Sequence, residues 1–73
     1  MIKVNEWKNS DTNPKTYKIS AFADTKAEVQ SATFPDDYIG LPADAEAIEM
    51  ESDIMTAAGD FAFMKSDGNW NWL

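Results

Sequence analysis

The sequence predicts a small, mostly β domain, either a small sheet, a barrel-like arrangement or an α+β one, with one short helix and a C-terminal β-hairpin. Three observations carry this expectation. Apolar and polar residues alternate with period two in several short segments, which is the pattern of half-buried strands. A capping motif at Thr25 opens a segment that Pro35 cuts short, so any helix there is brief. Ser66-Asp67-Gly68-Asn69 stands between two aromatic runs, as a hairpin turn does. The whole chain, residues 1–73, reads as one domain, because a chain this short buries only about 60% of the surface its unfolded form exposes.

Taken in order, Ile2-Lys3-Val4-Asn5 alternates and predicts a first strand running toward Trp7. Residues 8–15 contain no apolar side chain, and their Asn, Ser, Asp and Pro residues predict an exposed loop. Residues 16–22 alternate again, with Tyr17, Ile19 and Ala21 on one face, and predict a second strand paired with the first. Thr25-Lys26-Ala27-Glu28 fits a capping box and predicts a helix over 25–31, against an extended alternative favoured by Val29, Thr33 and Phe34. Residues 34–42 combine two prolines, a glycine and four large apolar side chains, and read as a loop pinned onto the core.

Residues 45–50 and 53–56 alternate with little turn chemistry between them, so one bulged strand or two short ones fit equally. On a continuous strand Glu49, Glu51 and Asp53 would share a face. They read there as solvated acids, or less readily as a calcium site, since no EF-hand spacing accompanies them. Residues 57–60 predict a turn and 61–65 a strand. With Asp67-Gly68 as a two-residue type I′ loop, Phe63 faces Trp72 and Lys65 faces Trp70. Phe61, Phe63, Trp70 and Trp72 then lie on one face, either as core or as a flat aromatic surface for carbohydrate or protein.

Composition narrows the function classes. The chain has no cysteine and no histidine, which removes disulfides, thiolate and imidazole metal sites, and Ser-His or Cys-His catalysis. No phosphate-binding glycine loop or zinc spacing occurs, and the expectation is a protein that is not an enzyme and uses no cofactor or metal. Six lysines against thirteen acids leave a net charge of −7, which repels phosphate backbones and anionic lipid, so nucleic acid and membranes are poor partners. No apolar stretch follows Met1, so no signal peptide is expected. Residues 1–26 sum to +2 and residues 27–73 to −9. That polarity suits head-to-tail contact between subunits, or equally two solvated faces.

A wider resemblance rests on the second half of the chain. Gly40-Leu41-Pro42 is followed by Met55-Thr56-Ala57-Ala58-Gly59-Asp60, then Phe61-Ala62-Phe63-Met64, then Ser66-Asp67-Gly68-Asn69-Trp70. This phrase, a proline-bearing loop, a strand closing on glycine, an aromatic strand, a turn and Trp, resembles small bacteriophage virion structural proteins, and the 22–29 segment looks like their middle. The resemblance implies a capsid decoration, head-fibre or head–tail connector role. The chain would then be made in a bacterial host cytoplasm and carried on the virion, with a homo-oligomer or capsid, portal or tail proteins as partners. It implies interface roles for Trp7, Tyr38, Phe61, Phe63, Trp70 and Trp72, with Trp7 and Tyr38 as outlying anchors. The alternative expectation is a small binding module that recognises carbohydrate or a host protein through exposed Trp70 and Asn71.

Overall fold

The computed structural model describes residues 1–10 and 15–73. The two alternating segments become β1 (Ile2–Asn9) and β2 (Thr16–Ala23), an antiparallel pair. The chain then forms α1 (Lys26–Ser31), β3 (Tyr38–Ile39), β4 (Ala47–Ile48), β5 (Asp53–Thr56), β6 (Phe61–Met64) and β7 (Trp70–Trp72). The strands make one open sheet in the order β3-β1-β2-β5-β6-β7, so the mostly β expectation takes the sheet form rather than the barrel. β3 runs parallel to β1, and both β4 and β5 run parallel to β2 along the same edge. Of the expected loop over 8–15, Lys8 and Asn9 instead continue β1, and residues 11–14 lie outside the described residues.

Alternation sends one set of side chains to a single core face. Ile2, Val4, Tyr17, Ile19, Ala21, Ala23, Ile54 and Ala62 are buried there, and Val29 of α1 and Tyr38 of β3 close over them. The register of β1 on β2 shifts between Val4 and Glu6, a bulge at Asn5. The extra residue exchanges the two faces beyond it. Trp7 therefore comes to the core side of the sheet opposite Ile19, where its ring meets Tyr17 edge-on with centroids 5.2 Å apart.

α1 is local chemistry made visible. Thr25 Oγ1 accepts from the Glu28 amide at 3.2 Å, as the capping motif requires. The Glu28 carboxylate departs from the box: it accepts from the Asp24 amide at 3.3 Å and from the Met1 ammonium at 3.0 Å. That ammonium contact, helped by the Asp24 amide, holds the Glu28 carboxyl below its usual range, while partial desolvation opposes the shift.

Between β4 and β5 the chain makes a detour rather than a bulge. Glu51 takes a left-handed φ of 74° and the Ser52 amide donates to the Glu49 carbonyl, so Glu49, Glu51 and Asp53 do not line one strand face as expected of a continuous strand. Lys18 Nζ lies 3.6 Å from Glu51, and the Ser10 hydroxyl donates to Glu49. Ser52, fully buried, repairs the ladder that the detour interrupts: its Oγ accepts from the Ile19 amide at 2.9 Å and donates to the Glu49 carbonyl at 2.7 Å. Ser52→Ala strands that buried amide, and a loss of about 1–3 kcal/mol in unfolding free energy is expected by urea denaturation. Ser52→Thr, which keeps the hydroxyl, is the control that separates the lost hydrogen bonds from packing.

The C-terminal hairpin forms, with a correction to its register. The Gly68 amide donates to the Lys65 carbonyl at 2.9 Å, closing a turn centred on Ser66-Asp67 rather than on Asp67-Gly68. Gly68 follows at φ 78° as the left-handed residue, and Asp67 Oδ1 accepts from the Asn69 amide at 2.9 Å. This longer loop pairs Met64 with Trp70, Phe63 with Asn71 and Ala62 with Trp72. A slip of one residue turns every β7 side chain to the other face. Trp70 and Trp72 therefore join the core side with Met64 and Ala62, and do not share a face with Phe61 and Phe63.

Candidate functional site

Burial of one face leaves the other to be explained. Cross-strand partners share a face, so the register traces what stands opposite the core. Ile39 pairs with Lys3, Lys3 with Phe22, Phe22 with Met55, and Met55 with Phe61. The Leu73 amide donates to the Phe61 carbonyl at 2.9 Å and continues the line past β7. One row thus crosses five strands as Ile39, Lys3, Phe22, Met55 and Phe61, and ends on Leu73 just past β7. The parallel row reads Glu6, Ser20, Asp53, Phe63 and Asn71. Phe22 is 40% exposed, Met55 50%, Phe63 39% and Leu73 85%. α1 covers the opposite face, through Val29.

The core side carries a second feature, a groove of about 550 Å³ between α1, the Phe34–Tyr38 region and the terminal hairpin. Trp70 Nε1 donates to the Tyr38 hydroxyl at 3.0 Å, and Phe34 meets the Tyr38 ring at 5.4 Å. Burial pushes the Tyr38 phenol above its ordinary pKa, and the Trp70 hydrogen bond pulls the other way with less effect. Lys26 Nζ stands 5.2 Å from the Trp72 ring centroid, so the open side of that indole is shared with a cation.

The six aromatic residues expected at an interface fall into three places. Phe61 and Phe63 lie on the outer face, in edge contact with centroids 4.8 Å apart. Trp70, Trp72 and Tyr38 line the core-side groove, with Tyr38 buried and both indoles half-buried. Trp7, 49% exposed, stands apart on Tyr17. Trp70 and Asn71 project to opposite faces, so the surface that was to combine them for carbohydrate does not form.

Phe22, Met55, Ile39 and Leu73 were not among the residues expected at an interface. The signal for Phe22 was present in β2, where it falls out of step with Tyr17, Ile19 and Ala21. Met55 carried the same signal relative to Ile54 and Thr56, but only the parallel pairing of β5 with β2 sets the two side by side. Among the described residues no group of three or more acids is placed to hold a metal ion. No family model, curated protein or solved structure matches the chain.

Proposed function

We propose that this chain is a non-catalytic structural and assembly protein of a bacteriophage virion, fastened to capsid, head-fibre or head–tail components by protein–protein contacts. The observation that supports it is the outer row. Scattered exposed apolar residues are ordinary, but a stripe in which Phe22, Met55, Phe61 and Leu73 follow one another across neighbouring strands is the mark of an interaction surface. Small chains also commonly make good a limited core by association. The virion setting comes from the resemblance of the strand and turn phrases, and the face supplies a means of attachment.

The test is density-gradient sedimentation of particles from cells that make this chain with a C-terminal tag. Co-sedimentation of the wild-type chain at a fixed ratio to the major particle protein is expected, together with its loss for Met55→Asp. A wild-type chain that stays at the top of the gradient at every expression level overturns the reading.

A further inference from the structure

We infer that the partner on the outer face is a second copy of this chain, packed sheet to sheet about a two-fold axis that runs along the strands between β2 and β5. This deepens the assembly reading above and rests on it for the use of that face.

Such an axis sets each strand of one copy over a strand of the other. It exchanges β2 with β5, β1 with β6, and β3 with β7, while keeping each row at its own height along the strands. Phe22 of one copy then faces Met55 of the other, a ring against a polarizable thioether. Lys3 faces Phe61, an ammonium over a ring, and Ile39 faces Leu73. In the second row Ser20 faces Asp53, a hydroxyl opposite a carboxylate. Glu6 faces Phe63 in that row and is its one mismatch, while the first row matches itself throughout, as an isologous contact requires. An axis along the row instead would set Lys3 against Lys3.

Charge points the same way. The chain as a whole carries −7, so most pairs of its surfaces repel. The outer face holds Lys3, Lys8 and Lys18, half of the lysines, against Glu6, Asp53 and the Lys18-paired Glu51. Those charges balance, making this a part of the surface where two copies meet without net repulsion. Size sets the strength of the contact. The six strands together hold 29 residues, which at about 4.8 Å between strands and about 3.3 Å along them frame a face of roughly 460 Å². Standard interfaces take about 800 Å² from each partner, so the pair is a weak one that forms only at high concentration.

The test is sedimentation equilibrium of the purified full chain from about 1 to 500 μM, where the upper limit exceeds the micromolar range of weak specific complexes. A mass of twice the 8.2 kDa chain is expected within that range. Phe22→Lys and Met55→Asp each place a charge opposite an apolar group of the second copy and are each expected to sediment as single chains. Mixed in equal amounts, they are expected to recover the double mass, because the axis brings residue 22 of one against residue 55 of the other. Circular dichroism checks that both variants fold, which their exposed positions allow. Met50→Asp, at a 54% exposed residue outside the outer rows, leaves the mass unchanged.

A wild-type chain that remains single at every concentration overturns the inference, as does any assembly other than a pair. Variants that stay paired when separate, or a mixture that stays single, overturn the proposed axis. A single chain in solution that still co-sediments with particles removes the second copy and leaves the assembly reading standing. A pair that never joins particles does the reverse.

Discussion

Ile54→Ala is expected to lower the unfolding free energy by about 2–5 kcal/mol, the range for emptying a large aliphatic site in a closed core. Ile54 is fully buried, and its neighbours across the sheet are Ala21 on β2 and Ala62 on β6. With alanines on both sides in the sheet, Ile54 fills the volume above them, and neither partner can extend into the space it leaves. Against the roughly 4–11 kcal/mol that a chain of this length commonly holds, such a loss is a large fraction of the total. The adjacent Met55 makes the contrast. Half-exposed on the opposite face, it should cost less than about 0.5 kcal/mol as Met55→Ala when the chain is dilute. At concentrations where copies associate, Met55→Ala should lose more, since whatever binds only the folded chain adds to its apparent stability. Urea denaturation at two protein concentrations reads both effects. The Ile54→Ala loss should be the same at each, and the Met55→Ala loss should grow with concentration.

That contrast also marks how far the sequence could be read. Elements fixed by neighbours in the chain were legible: the alternation of β1 and β2, their antiparallel pairing, the Thr25 cap and the existence of the terminal hairpin. What escaped was set by contacts distant in sequence or by a one-residue choice in a turn. β5 reaches β2 only after the chain has passed through α1, β3 and β4, and no local period encodes that parallel pairing. The bulge at Asn5 reverses the outward sense of Trp7, although Glu6 and Trp7 alone carry no sign of it. In the hairpin, Asp67-Gly68 suits a two-residue loop, but the longer loop with Gly68 in the left-handed position sends both indoles to the core side. The alternative would have crowded Phe61, Phe63, Trp70 and Trp72 onto the uncovered face and left the groove side of the core open. Burial of two tryptophans decided the register, and the outer face was redrawn as a consequence.

Gly40→Ala is expected to be the most damaging glycine substitution in the chain. Gly40 has a φ of 92°, a region that costs a non-glycine residue about 1–3 kcal/mol. A Cβ at this position would also stand 2.7 Å from the Val4 carbonyl oxygen. That oxygen is backbone on a strand that pairs with β2 and β3, so it cannot move aside as a side-chain tip could. Gly59 supplies the comparison, because its φ of 94° is nearly the same while a Cβ there meets nothing within 4 Å. Gly59→Ala therefore reports the conformational cost alone, and the difference between the two variants isolates the contact with Val4. For a domain of this size each 1 kcal/mol lowers Tm by about 4–8 °C, so thermal unfolding resolves the difference. Equal losses would mean that β3 yields where it passes β1. A larger loss at Gly40 means that the approach is rigid, and a rigid approach has a consequence on the other side of the sheet. Ile39, the preceding residue, is the end of the outer row, and the backbone that holds Gly40 against Val4 is what keeps Ile39 level with Lys3 and Phe22.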